Sequence, residues 1–331
     1  MTTTRRPLTT TDLAPLARAA LGPSRTLTGV ERLRGGTRKG VYRLILDDDS
    51  TAVAYVWSAE EDYWDQPDPD PGTCSPTAPA SASFTAAHDR LAAAGVRTPR
   101  LRYADATHTH LPADAAVVED LTGGSLEDAL ARDPEQAPQA MERMAELLAT
   151  LHSHTGPRFG KVAVVDKGGS PYGASCEQRV TEGALRCIAE AARCDPRAAA
   201  ARRELEEEIH ALAAGIRPRD RHTLIHGELG ADHVLLTPGG QPALIDIEGL
   251  MYFDVEHEHV FLRLRFGSHY DALRAPGLDE ARLRLYRLAM HIGLVSGPLT
   301  LIEGDFPDPG RMREIAEHNL HEALSLLKSA S

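Results

Sequence analysis

Two hydrophobic patterns succeed one another along this chain, and their order restricts the fold more than any single residue does. Residues 26–57, TLTGVERLRGGTRKGVYRLILDDDSTAVAYVW, read as three strands. A glycine-bearing turn (Gly35, Gly36, Gly40) separates the first two strands and an acidic turn, Asp47 to Ser50, the second two. That arrangement predicts an antiparallel meander. Later the apolar residues take a helical period, over 136–154, 176–194 and 197–214, and again over 254–265, 279–294 and 310–328. Two short strands at 234–236 and 243–245, joined by a TPGGQP turn, interrupt the helices. A strand-rich first third before a helix-rich remainder predicts an α+β fold of two lobes, 1–118 and 119–331, with a cleft between them.

Local signals refine this outline. Thr10 or Thr11 is placed to cap a helix over 13–21, which Gly22-Pro23 stops. FTAAHDRLAAAG is helical and VRTPRLRYAD leads into another strand. AAVVEDLTGGSLEDAL reads as strand, glycine turn and helix, with Ser125 as the cap. Residues 58–83 are rich in proline, serine and aspartate and have no regular period beyond Trp64. They read as a mobile loop, of a length that also suits a lid or a docking segment for a partner protein.

Composition excludes some functions. A net charge of −12 argues against nucleic-acid or anionic-membrane binding. With no apolar N-terminal leader and no run of 18 apolar residues, a cytoplasmic protein is expected. Cys74, Cys176, Cys187 and Cys194 lack metal-finger spacing and are expected to be free thiols. Lys39, Lys161, Lys167 and Lys328 are the only lysines, so lysine-specific chemistry has four candidates.

HGELGADHVLLTPGGQPALIDIEG, residues 226–249, carries the most specific signal. With its spacing of His226, Gly227, Glu228, His233 and Asp246 around a hairpin, it resembles the catalytic segment of the aminoglycoside phosphotransferase family, a branch of the protein-kinase-like fold. Other segments agree in order: RLRGGTRKGVYRL is similar to the family's phosphate-covering loop, VVEDLTGGSLEDAL to its adenine hinge, and LLATLHSHTGPRFG to the helix and Phe-Gly turn before its catalytic lobe. The resemblance implies ATP or GTP as donor, Mg²⁺ or Mn²⁺, and a hydroxyl acceptor on a small molecule or a peptide. It implies Glu228 and His226 as catalytic residues, and His233 and Asp246 as metal ligands. Gly36, Arg38, Lys39, Gly40, Tyr55, Glu119 and Leu121 fall at the nucleotide positions, and Glu258 at a carboxylate that braces the loop.

The chemistry is consistent with those residue types. Phosphoryl transfer needs a carboxylate at the acceptor hydroxyl, hard oxygen ligands for the metal, and cations or N–H groups around the phosphates. Three departures bear on mechanism. Glu228 stands where the family usually has Asp, keeping the charge with a longer reach. His233 stands where Asn is usual, a nitrogen donor better suited to Mn²⁺ or Zn²⁺ than Mg²⁺, with hydrogen bonding within the loop or no ligation as the alternatives. The ion pair of strand lysine and helix glutamate is missing: alignment puts Tyr55 and Phe84 there. Residues 51–83 contain no lysine or arginine and residues 62–118 no glutamate, so no shift of register restores it.

A replacement cation must come from elsewhere, and Lys39 and Arg38 are the nearest candidates, with the backbone N–H groups of residues 36–40 adding to an anion site. Glu248 is a second carboxylate beside Asp246, open to a metal-ligand, acceptor-orienting or solvated role. His257 and His259, two residues apart on a helix, diverge and are not expected to share a metal. The expected function is transfer of the ATP γ-phosphate to a hydroxyl of an antibiotic-like molecule or metabolite. The alternatives are a kinase-like enzyme acting on Ser or Thr of a natural-product precursor peptide, and a partner-binding module that has lost catalysis.

Overall fold

The computed structural model describes residues 5–33, 35–64, 80–170 and 173–330. The loop reading of 58–83 therefore lies mostly outside the described residues, as does Cys74. The described residues form two compact units: those within 5–64, 80–151 and 231–249 in one, and those within 152–230 and 250–330 in the other. The second lobe expected from the sequence thus contributes a hairpin and two helices to the first unit.

The first unit begins with helix α1 (Thr10–Leu21). Its cap is Thr9, one residue before the expected pair, because Asp12 returns a hydrogen bond to the Thr9 backbone and closes a capping box. Strands β1 (Leu27–Arg32), β2 (Gly40–Leu46) and β3 (Thr51–Trp57) form the expected meander. After helix α2 (Ala80–Ala93) come β4 (Leu101–Asp105) and β5 (Asp114–Glu119), and the sheet order is β1-β2-β3-β5-β4, antiparallel throughout.

Successive side chains on a strand point to opposite faces. Ala52, Ala54 and Val56 of β3 join Tyr42, Leu44 and Leu46 of β2 in a core with Leu13 and Leu16 of α1. On the other face Tyr55 and Trp57 meet Phe84 of α2, with ring centroids 5.5 and 5.6 Å away. Burial on both faces explains why TAVAYVW shows a continuous apolar run rather than an alternation. Helices α3 (Leu126–Arg132), capped by Ser125 as expected, and α4 (Ala137–His152) follow.

In the second unit, β6 (Thr155–Gly156), β7 (Gly160–Lys161), the single turn α5 (Val162–Val165), and the long helices α6 (Cys176–Cys194) and α7 (Pro196–Ala214) precede β8 (His222–Ile225). The hairpin β9 (Val234–Leu236) and β10 (Pro242–Leu244) belongs to the first unit. Strand β11 (Met251–Phe253) then completes a sheet of order β6-β8-β11-β7 that the sequence reading did not anticipate, since strands of two to four residues are too short to display a period. Helices α8 (Val255–Phe266), α9 (Glu280–Glu303) and α10 (Pro309–Ala330) end the chain.

Helix α9 has the length and mean hydropathy, 1.3, of a membrane span. Its apolar residues are nevertheless core: Leu285, Tyr286, Leu288 and Ile292 pack with Ile188 of α6, Ile209 of α7 and Val260 of α8. Arg282 near its start is 2% exposed and donates to the Asp254 carboxylate at 2.5 Å, while the Tyr286 hydroxyl donates to the same oxygen. Arg219 forms a two-pronged pair with Glu256 at 2.7 and 2.8 Å.

His257 and His259 do diverge. The first ring lies among Phe253, Phe261 and Tyr286, and the second between His152 and Tyr270, whose hydroxyl is 3.2 Å from Nδ1. Burial depresses the His259 pKa from 6.5 to about 4. An unfolded chain therefore takes up a proton near pH 6.5 that the folded chain refuses until about pH 4, so protons favour unfolding across that window. Urea midpoints should fall from pH 7 to pH 5, with roughly 2 kcal/mol traceable to this imidazole. His259→Gln should flatten the slope, and an unaltered slope in that variant would refute the assignment.

Candidate functional site

Asp246 follows β10 on a backbone with φ 58°, in the left-handed region that a non-glycine residue enters only at some cost. The conformation leaves its carboxylate 44% exposed although Ile247 beside it is fully buried. The hairpin fixes this end of the chain: Ile245 N–H donates to the His233 carbonyl at 3.0 Å.

Lys39 reaches this carboxylate. Its Nζ lies 2.6 Å from Asp246 Oδ1 and 2.5 Å from Glu248 Oε1. The residue is 7% exposed, so it is an inward-pointing lysine rather than a solvated hairpin residue. Burial alone would lower its pKa, but Asp246 and Glu248 outweigh that cost and raise it well above the usual lysine value. The ammonium also lies 5.1 Å from the centroid of the Tyr55 ring. The aromatic ring is on β3, and the cation arrives from the β1–β2 turn.

The aromatic cluster forms the wall behind this cation. Tyr55 and Phe84 lie there with Thr98, Pro99, Val118, Ile245, Asp246 and Ile247. Burial raises the Tyr55 hydroxyl pKa, which keeps the ring neutral. Beneath the turn, Gly36 has φ 78°, and a Cβ there would lie 2.5 Å from the Lys39 carbonyl oxygen. At Gly40 a Cβ would meet the Glu61 carboxylate and the Tyr42 ring at 2.6 and 2.7 Å. These two positions require glycine if Lys39 is to turn inward.

Other expected residues are engaged differently. The Arg38 guanidinium stacks 5.0 Å from the Trp64 ring centroid and lies 3.7 Å from Asp62, so its known partners are not Asp246 and Glu248. Glu119 accepts from Arg97 and from Arg100; despite partial burial these hydrogen bonds hold its carboxyl at about 2. That side chain is structural, and Leu121 nearby is buried. His233 Nε2 lies 3.8 Å from both Asp232 Oδ2 and Asp246 Oδ2.

The loop 226–230 is held from beneath by Glu258 of α8. Its carboxylate accepts from the backbone N–H groups of His226 at 2.5 Å, Gly227 at 3.3 Å and Leu229 at 3.3 Å. Burial pushes the Glu258 pKa up, against the opposing pull of His226 and these three donors. His226, Gly227, Leu229 and Gly230 are all buried, and Glu228 alone in this stretch is exposed. The bracing role that the resemblance implies for Glu258 thus has its geometry.

The sequence reading missed the partnership of Glu248 with Lys39, having considered metal binding, acceptor orientation and solvation. The available signal was a lone lysine between glycines, a surplus carboxylate two residues past Asp246, and a β3–α2 region with no cation.

Residues 29–291 match the family model described as the phosphotransferase enzyme family. No functionally curated protein matches the sequence. Solved structures share the fold at low identity. One is a thermostable mutant of aminoglycoside phosphotransferase APH(4)-Ia in ternary complex with AMP-PNP and hygromycin B, with TM-score 0.65 and 15% identity over 97% of this chain and 99% of that one. Choline kinase LicA from Streptococcus pneumoniae gives 0.62 and 14%, over 96% and 98%. A putative fructosamine-3-kinase from Thermobifida fusca gives 0.56 and 18%, over 95% and 98%.

Proposed function

Because the chain belongs to the phosphotransferase enzyme family, we propose that it moves the γ-phosphate of ATP to a hydroxyl of a small molecule, using an ion pair rebuilt as Lys39–Glu248. The observation that carries this reading is the inward Lys39 ammonium, held at 2.6 Å from Asp246 and 2.5 Å from Glu248. It supplies the cation and the anchoring carboxylate that β3 and α2 lack. The partner-binding alternative drew its support from the absence of that pair, and the contact of Lys39 with Glu248 weighs against it.

The residues present suit a divalent cation. Asp246 has one oxygen on Lys39 and the other 3.8 Å from His233 Nε2, with Asp232 at the same distance from that nitrogen. Carboxylate oxygens with one imidazole suit Mg²⁺ or Mn²⁺, and the nitrogen favours the latter. Such an ion would supply positive charge against the phosphates. Asp246 and His233 would hold it. Lys39 binds a phosphate oxygen, and Glu248 keeps the ammonium in position. Glu228 accepts the proton of the acceptor hydroxyl as that oxygen bonds to the γ-phosphorus. The bond from phosphorus to the β-phosphate's bridging oxygen then breaks, and its electron pair leaves with ADP.

The acceptor is a small hydroxyl compound, the class represented by the hygromycin B complex and by the choline and fructosamine kinases of similar fold. Thermal unfolding tests the nucleotide half of the proposal. ATP with Mg²⁺ or Mn²⁺ at about a hundred times its Kd should stabilise the protein by roughly 2.7 kcal/mol. Asp246→Ala should abolish most of that gain. No shift with either metal would refute nucleotide binding.

A further inference from the structure

We propose a second metal site, distinct from the nucleotide site, in which Cys176, His222 and Asp254 bind one zinc-like divalent cation. One ligand atom from each of the three residues lies within 4.8 Å of the others, and all three residues are buried. They come from three elements: the first residue of α6, the first of β8, and the residue that caps α8. Cys176 Sγ and His222 Nδ1 are 3.5 Å apart, the spacing expected for sulfur and nitrogen on one tetrahedral ion with bonds of about 2.3 and 2.0 Å.

Asp254 supplies the independent sign of a missing ligand. It stands at the cap position of α8, yet its side chain makes no cap hydrogen bond. Oδ2 takes Arg282 and Tyr286, whereas Oδ1 has no hydrogen-bond partner although the residue is 2% exposed. The Arg219 guanidinium lies 3.8 Å from Oδ1, beyond hydrogen-bond reach, so charge is near this oxygen but its hydrogen-bonding capacity is unused. Glu177, next to Cys176, is 7% exposed, and its Oε2, 3.6 Å from Arg282, likewise makes no hydrogen bond, so a fourth oxygen is at hand.

Two guanidiniums nearby do not forbid a cation. Buried Glu177, Asp254 and Glu256 and partly exposed Asp279 face Arg282 and half-buried Arg219, which leaves the cluster two negative charges in excess. A divalent ion that displaces the Cys176 proton to water adds two positive charges and removes one, halving that excess. The thiol–imidazole–carboxylate set suits a borderline-soft ion such as Zn²⁺ and not Mg²⁺. The His222 ring is held by the edge of Phe159 at 5.7 Å, and Phe159, Cys176, Ile225 and Phe253 form one apolar cluster around the site. Metal bound there would tie α6, β8 and α8 together.

The test uses the full chain, stripped with a chelator and kept reduced with a phosphine, titrated with Co²⁺ as a spectroscopic probe. A near-ultraviolet sulfur-to-cobalt charge-transfer band should rise to one ion per chain. It should vanish in Cys176→Ser, persist in Cys187→Ser and Cys194→Ser, and require about tenfold or more cobalt in His222→Gln. Zn²⁺ should raise the unfolding temperature of the wild type but not of Cys176→Ser. If Cys176→Ser fails to fold, the wild type and His222→Gln decide. Absence of the band from the wild type, its survival in Cys176→Ser, or undiminished affinity in His222→Gln would overturn the proposal and leave Cys176 and His222 joined only by an S–H···N hydrogen bond.

Discussion

Lys39→Met should lower kcat/KM for ATP by at least about a hundredfold, equivalent to roughly 2.7 kcal/mol of lost transition-state stabilisation. The reason is local. Lys39 is the cation held between Asp246 and Glu248, and Tyr55 and Phe84 behind it offer no charge in exchange. A neutral side chain there leaves two carboxylates facing each other across a site that must receive a polyphosphate. Removing one partner of a buried ion pair costs about 3–5 kcal/mol in general, so some loss of stability should accompany the loss of activity.

The two effects separate by measurement. A purely structural Lys39 would lower the unfolding temperature and leave the ATP KM and kcat at wild-type values, and that result would remove it from the phosphate site. Glu248→Gln should give a weaker version of the same defect, because the ammonium keeps Asp246. A stricter test moves the pair back: Tyr55→Lys with Phe84→Glu, added to Lys39→Met, should recover part of the lost kcat if the charge matters more than the element that carries it.

Glu228→Gln should reduce kcat by about 10²–10⁴ with little change in the KM for ATP. The loop should survive the substitution, since Glu258 holds it through three backbone N–H groups and the Glu228 side chain is exposed. Steady-state transfer to an acceptor, or slow ATP hydrolysis in its absence, reads the effect. Glu228→Asp, the residue usual in the family, should retain far more activity than Gln. If Gln and wild type turn over alike, Glu228 is not the group that receives the hydroxyl proton.

Much of this molecule is legible along the chain. The meander, the Ser125 cap, the α6 boundaries and the β9–β10 hairpin follow from period and turn chemistry, because neighbouring residues suffice to favour them. The Thr9 cap was displaced by one residue because Asp12 pairs with Thr9 rather than with a later threonine. The β6–β8–β11–β7 sheet was invisible, since its short strands are stabilised by pairing across distant segments and not by their own pattern. Loss of the usual ion pair was equally plain, because it follows from counting residue types between 51 and 118.

What the sequence determined by itself was the order of elements, the frame of His226 to Asp246 and the absence of a lysine from β3, all properties of local pattern and composition. Tertiary structure alone decided which lysine turns inward and which carboxylate receives it. Lys39 and Glu248 are 209 positions apart, and their meeting depends on two glycines, a left-handed Asp246 and a wall assembled from five segments. The bond between them is electrostatic and short-ranged, so it exists only once packing has brought the two charges together and excluded water from between them.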